Sequence, residues 1–255
     1  KIYLNMIVCE IGINHLGSEL RAKKMVRQIL KTKADAITFQ IPSPEFIKNL
    51  NFKFRELRIS FYKSIIKEIH NKNKKVGFAI SNDLLIEKLN DLGCDFWKIL
   101  SRDFYDKNIL KKIRNTKKKT YISTGFSNFV EIKKLSNNFG KNGYFIHTSL
   151  SHNYEDINLK AITLMKKKIH QKKIAFGLHS PDTKILHYSQ CYDPESLFFY
   201  VKTNEKIKFP DNEHAIRINR VDEIINETNL LKLAMGKGLK RKIILKNKFD
   251  TGKIK

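Results

Sequence analysis

Glu10, Asn14 and His15 close an apolar run that starts at Met6, just before a helical pattern begins. An acid and two polar groups at a strand-to-helix junction are what a catalytic barrel carries at its mouth. A plain strand end with a solvated turn, in which Ser18 only caps the next helix, uses the same residues. The arrangement recurs along the chain. Gln40 ends a second apolar run, Ser81 and Asn82 follow a third, and Lys98 with Ser101 marks a fourth. Ser123 and Thr124 come next, then His147, Thr148 and Ser149, then His179 and Ser180, and finally Lys202. Lys98 stands inside Phe96-Trp97-Lys98-Ile99-Leu100, where a buried ammonium requires an anion or a carboxylate such as that of Glu10. Hydroxyls, a lysine and backbone amides together suit a phosphate and a carboxylate.

Such groups meet only if strands deliver them to one rim. Short apolar runs predict strands over Met6 to Ile11, Ala36 to Ile41, Val76 to Ile80 and Phe96 to Leu100. Four more are predicted over Thr120 to Ser123, Tyr144 to Thr148, Ile174 to Leu178 and Leu197 to Val201. Helical periodicity falls between them, over Glu19 to Lys31, Phe61 to Asn71, Leu84 to Leu92 and Lys107 to Arg114. It returns over Phe129 to Asn138, Leu159 to His170, Lys184 to Cys191 and Val221 to Leu233. Eight strand–helix units without a Pro/Gly/Ser-rich linker specify an α/β chain closed into a (β/α)8 TIM barrel, with a doubly wound sheet as the alternative. The barrel is expected over residues 1–238, followed by a tail or linker over 239–255.

A chain of 255 residues buries a core without a staple, and Cys9, Cys94 and Cys191 are too far apart for a zinc cluster or a disulfide framework. No membrane span or signal-peptide pattern is apparent, so a cytoplasmic protein without membrane partners is expected. The net charge of +25 raises nucleic acid as a partner. Only nine of the fifty basic residues are arginine, however, and the lysines are scattered among Ile and Asn, as AT-rich coding produces. The runs Lys72 to Lys75, Lys117 to Lys119 and Lys166 to Lys168 fall where helices should end, which favours solvated helix termini over a nucleic-acid face. The overall field still attracts small anions.

Several segments taken together resemble the N-acetylneuraminate (sialic acid) synthase family. The family's Glu-Ile-Gly-Ile-Asn-His-Asn-Gly is matched by Glu10 to Gly17, with Leu16 in place of Asn, and its Ala-Asp-Ala-Val-Lys-Phe-Gln by Ala34 to Gln40. Lys-Ile-x-Ser-Gly-Asp is similar to Lys98-Ile99-Leu100-Ser101-Arg102-Asp103, and Leu-Ser-Thr-Gly-Met to Ile122-Ser123-Thr124-Gly125-Phe126. Cys-Thr-Ser before Tyr-Glu-Asp-Val-Asn-Leu resembles His147-Thr148-Ser149 before Tyr154 to Leu159, and Gly-Pro-Asp-His resembles Phe209-Pro210-Asp211-Asn212. The resemblance implies a barrel enzyme that condenses phosphoenolpyruvate with an N-acetylated amino sugar such as N-acetylmannosamine. It further implies Glu10 as the catalytic acid–base group, and Lys98, Ser101, Ser123 and Ser149 around the phosphoenolpyruvate oxyanions. Gln40 and Asp211 would grip the sugar, and His179 would be a ligand of a divalent metal, Mn or Mg. On this reading Glu10→Gln and Lys98→Ala abolish turnover while the fold persists.

Other departures from the family pattern bear on its chemistry. Thr38 stands where the family has a lysine, which removes a cation from the phosphate cradle. Gly-Tyr-Ser-Asp-His-Thr aligns with Ala175 to Ser180, keeping His179 but losing the serine and aspartate before it. The second metal histidine falls on Thr203, and His214 replaces it only if its loop folds back. The small antifreeze-like domain that follows the barrel in the family is expected to be absent, which leaves a homodimer with less support. Two other functions stay open: a barrel lyase or aldolase using Lys98 as a Schiff base, and a non-catalytic sugar- or anion-binding relative.

Overall fold

Eight parallel strands pair in sequence order, and the eighth closes on the first. They are β1 (Met6–Gly12), β2 (Ala36–Ile41), β3 (Lys75–Ile80), β4 (Phe96–Ile99), β5 (Lys119–Ser123), β6 (Gly143–His147), β7 (Lys173–Leu178) and β8 (Ser196–Lys202). Closure runs from Met6 against Ser196 to Glu10 against Tyr200. A two-residue strand, β9 (Ile216–Arg217), adds to the end of β8. The computed structural model describes residues 5–169, 173–236 and 238; the expected tail over 239–255 lies outside them.

Helices α1 (Glu19–Ile29), α2 (Pro44–Lys48), α3 (Ile59–His70), α4 (Ile86–Asp91) and α5 (Lys107–Asn115) separate the first five strands. They are followed by α6 (Phe129–Ser136), α7 (Tyr154–Ile157), α8 (Lys160–Lys168), α9 (Lys184–Ser189) and α10 (Val221–Met235). Local chemistry starts them where the sequence directs. Ser18 accepts from the Arg21 amide ahead of α1, Asp106 accepts from two amides ahead of α5, and Asn128 forms a reciprocal capping box with Glu131 at α6. The longer helices then bury one stripe, as Ala22, Met25, Val26 and Ile29 do on α1. Two short helices, α2 and α7, are absent from the sequence expectation. For α2 a signal existed in Ser43 as cap and Pro44 in the first turn. The expected helix over Leu84 to Leu92 begins with a 3-10 turn, Asp83–Leu85, and the one starting at Lys184 passes into another at Gln190. His170, the expected end of the sixth helix, lies outside the described residues. Among the described residues no helix is long and apolar enough to cross a membrane.

Two cores result from the period-two alternation of the strands. Ile7, Cys9 and Ile11 of β1, Ile37, Phe39 and Ile41 of β2, and their counterparts on other strands join the helices in an outer core. The intervening positions Val8, Ala36, Phe96, Tyr121, Ile146, Ala175 and Phe198 form a separate inner one. Phe96, Tyr121 and Phe198 pack edge to face at 5.5 and 4.8 Å and fill the N-terminal half of the barrel interior. Beneath them Glu195 binds Lys119 at 2.8 Å and the Tyr121 hydroxyl at 3.2 Å. The basic runs lie at this same end. Lys74 donates to the Thr32 and Ala34 carbonyls and Lys118 to that of Cys94, so several of these lysines fasten backbone carbonyls around the base.

Gly77 of β3 is fixed by this packing. A Cβ there would stand 2.3 to 2.6 Å from the Phe96 ring. Gly77→Ala is therefore expected to cost about 1–3 kcal/mol by overpacking, read as a drop of several degrees in the melting temperature, and Phe96→Leu in the same chain should recover most of it. An unchanged melting temperature for the single variant would show that Phe96 yields freely.

Candidate active site at the barrel mouth

The alternation that puts Val8, Phe96, Tyr121 and Phe198 in the inner core puts the residues two places on in the same interior, nearer the C-terminal rim. These are Glu10, Lys98, Ser123 and Tyr200. On β2, Thr38 and Gln40 follow Ala36; on β7, Gly177 and His179 follow Ala175. Each strand is apolar at depth and polar at the mouth. The mouth opens on a cavity of about 840 Å³ lined by Gln40, Lys98, Ser101, Ser123, His179 and Asp211, together with Tyr200.

Lys98 and Glu10 are each 3% exposed, and the Lys98 ammonium donates to Glu10 Oε2. The Thr38 hydroxyl donates to the same oxygen at 3.5 Å. Lys98 Nζ also lies 5.6 and 5.5 Å from the ring centroids of Phe198 and Tyr200. A carboxylate and two ring faces thus meet the ammonium that the β4 run buries. Ser101 opens the 3-10 turn after β4, and its hydroxyl accepts from the Gly125 amide at 2.9 Å, joining the β4 and β5 loops.

The chain after β8 folds back over the rim. Asn14, from the loop after β1, donates to the Val201 carbonyl at 2.9 Å and accepts from the Asp211 amide at 3.1 Å. Lys202 donates to the Asn212 carbonyl at 2.5 Å. The fold-back seats the His214 ring 4.9 Å from that of His179 and 5.2 Å from that of Tyr200. Gly12 makes room for it. Its φ is +56°, and a Cβ would approach within 2.6 Å of the Tyr200 ring and 3.1 Å of Asp211 Oδ2. Burial, reinforced by the charge of Glu10, raises the Asp211 carboxyl to about 7. Burial also drives His179 well below its ordinary value, and burial with nearby cations brings His214 down to about 4. Both imidazoles are neutral at pH 7.

Neutral imidazoles are metal ligands, and the donors present bear on the divalent cation that the family resemblance implies. Among the described residues no group of three or more His, Cys, Asp or Glu side chains is placed to hold a metal ion. What exists is more open. His214 Nε2 and Asp211 Oδ2 are buried without a hydrogen-bond partner, and Asp211 Oδ1 lies 3.8 Å from His214 Nε2, with the His179 ring alongside. One imidazole and one carboxylate with free donor atoms at the edge of a cavity fit no more than a loosely held cation whose shell is completed by water and substrate oxygens.

Six of the eight residues singled out from the sequence line this one cavity, and Glu10 joins them through Lys98. Ser149 does not. It lies past the end of β6, accepts from the Ser151 amide at 3.2 Å and faces a small neighbouring cleft shared with His179 and Ser180. Thr124 and Thr148 donate to the Ile146 and Gly177 carbonyls, and His147 donates to that of Ile157, so these three fasten loops. Tyr200 and Arg102 line the cavity but were not marked by the sequence. For Tyr200 the signal was its place two residues after Phe198 on an inward-facing strand.

The fold and the site define a (β/α)8 barrel with a polar, cation-bearing well at its C-terminal rim. The chain belongs to the NeuB family, whose sequence pattern matches residues 25–240. It is 26% identical over 246 residues to a protein of Methanocaldococcus jannaschii, covering 92% of this chain and 73% of that one. It is 24% identical over 269 residues to the N,N'-diacetyllegionaminic acid synthase of Campylobacter jejuni, covering 92% and 79%. The crystal structure of an N-acetylneuraminic acid synthetase from Leptospira borgpetersenii, in complex with citrate, superimposes with a TM-score of 0.87 at 21% identity, covering 94% of this chain and 88% of that one.

Proposed function

We propose that this chain condenses phosphoenolpyruvate with an N-acetylated amino sugar, N-acetylmannosamine or a close relative, to give a nonulosonic acid and inorganic phosphate. The observation that carries this reading is the convergence of Lys98, Glu10, Ser101, Ser123, Gln40 and Asp211 on one well. Membership of the NeuB family and the likeness to a legionaminic acid synthase support it.

The reaction needs a nucleophile and an electrophile held together while charge builds at both ends. Carbon 3 of phosphoenolpyruvate forms the new bond to the aldehyde carbon of the open-chain sugar, and the aldehyde oxygen takes a proton. Water adds at carbon 2 and gives up one proton, the hydroxyl so formed gives up the other as the bond from carbon 2 to the phosphate oxygen breaks to leave a ketone, and the two protons end on the aldehyde oxygen and the departing phosphate. Lys98 lies at the floor of the well that the anionic substrate enters, and its ammonium holds the Glu10 carboxylate in place. Glu10 then positions the water and receives its proton. The Ser101 and Ser123 hydroxyls donate to substrate oxyanions, and Gln40 and Asp211 hold the sugar hydroxyls. His214 and Asp211, with His179 alongside, would be the protein's donors to a divalent cation, which would supply Lewis-acid polarisation of the aldehyde.

The test is incubation of the protein with phosphoenolpyruvate and a divalent cation, with and without N-acetylmannosamine or a di-N-acetylated amino sugar. Phosphate release that depends on the sugar, with one nonulosonic acid formed per phosphate, is the expected result. Absence of sugar-dependent release with every sugar and metal would remove the synthase reading, and borohydride trapping of a carbonyl substrate on Lys98 would replace it with an aldolase.

A further inference from the structure

Arg102 occupies an unusual position in the well. It is the middle residue of the 3-10 turn Ser101–Asp103, and both of its neighbours are anchored. The Ser101 hydroxyl accepts from the Gly125 amide at 2.9 Å, and the Asp103 carboxylate accepts from the Ser81 hydroxyl at 2.6 Å. Arg102 itself makes no hydrogen bond or salt bridge among the described residues, and its guanidinium carbon lies 4.0 Å from the centroid of the Phe46 ring on α2. Stacking on an aromatic face fixes the plane of a guanidinium and leaves its N–H edge free for a bidentate acceptor.

The charge balance of the well gives that edge a purpose. Lys98 is neutralised by Glu10, and β2 contributes Thr38 where the family pattern quoted above carries a lysine. The same pattern has glycine at the position of Arg102. One cation is missing from β2 and one has been added at the end of β4. Lys53 and Lys208 also line the cavity and, like Arg102, are exposed, but among the described residues neither is stacked on an aromatic ring as Arg102 is on Phe46.

We infer that Arg102 binds the phosphate group of the phosphoenolpyruvate substrate, replacing from β4 the cation that β2 lacks. This rests on the proposed synthase reading for the identity of the ligand. A guanidinium fork and a phosphate monoester match in charge and geometry, whereas the carboxylate end of the same substrate is left to the Ser101 and Ser123 hydroxyls and Lys98.

The experiment is calorimetric titration of wild type, Arg102→Ala and Arg102→Lys with four probes: phosphoenolpyruvate, inorganic phosphate, pyruvate and N-acetylmannosamine 6-phosphate. Arg102→Ala is expected to weaken phosphoenolpyruvate and inorganic phosphate by roughly 30-fold, with pyruvate changed less than about threefold and the lysine variant intermediate. In the double variant Thr38→Lys with Arg102→Gly, at least about tenfold of that loss should return. Phosphate and phosphoenolpyruvate binding unchanged in Arg102→Ala overturns the role, as does weakening confined to the sugar phosphate. A folded double variant that regains nothing overturns the exchange between β2 and β4. Wild type that binds neither phosphate nor phosphoenolpyruvate overturns this inference and the synthase reading together. Arg102-dependent phosphate binding without sugar-dependent turnover overturns the reaction alone.

Discussion

Glu10→Gln and Lys98→Ala are each expected to lower sugar-dependent phosphate release by ~10³-fold or more, because each removes a charged group that faces the reacting atoms. Burial adds a second effect that the sequence does not show. The pair is almost wholly enclosed, so either variant leaves an uncompensated charge in the barrel and should cost about 3–5 kcal/mol of stability. The double variant Glu10→Gln with Lys98→Met separates the two effects. It should regain most of the lost stability, since no charge remains unpaired, and none of the turnover. Denaturant unfolding of the four proteins, each with its turnover number, completes the cycle. Near-wild-type turnover in either single variant would exclude that residue from the chemistry. A double variant no more stable than the singles would show that the pair is held for packing and not for charge.

Stability should also fall on the acid side, and the share of His15 can be isolated. Its ring is fully buried beside Phe54, with Nδ1 accepting from the Gly17 amide, and burial with the nearby Arg21 charge brings it down to about 3. Above pH 6.5 the imidazole is neutral in both folded and unfolded chains. Below it the unfolded chain takes up a proton that the folded one refuses, so stability is lost as pH drops from about 6.5 toward 3. Between pH 6.5 and 4.5 the loss from this one group approaches ~2.7 kcal/mol, at about 1.4 kcal/mol per pH unit. His147, also held below its ordinary value by burial, acts in the same direction. Asp211 acts in the opposite one, because its raised carboxyl adds stability as pH falls through 7. His15→Asn keeps an acceptor near Nδ1 and cannot titrate. Its stability profile between pH 6.5 and 4.5 should be flatter than wild type by about 2–3 kcal/mol, and parallel profiles would show that His15 protonates freely in the folded chain.

The barrel was legible because strand and helix periods alternate without a break, and all eight strands fall within a residue or two of the expected positions. The rim was legible for a related reason. A polar residue ending an apolar run, such as Gln40 or Ser123, has few places to go except an interior mouth. Lys98 meeting Glu10 followed from the cost of a lone buried ammonium. Loop trajectories were not legible, since they are set by contacts between distant segments. Asn14 clasping Val201 and Asp211 is what folds His214 back onto His179, and nothing in residues 203–215 alone announces it. Ser149 lies off the well because Ile146 faces the inner core, so a residue three places on has the outward parity, two positions past the end of β6. Arg102 looked like an ordinary surface arginine until the turn around it was seen to be anchored on both sides.

The ring stack of Phe96, Tyr121 and Phe198, latched underneath by Glu195, makes the barrel a blind shaft. Traffic to Lys98 has one doorway, shared by everything that enters or departs. Two reactants that use such a shaft must queue: the one resting deepest goes in first, the second closes over it, and whatever leaves does so in the reverse order.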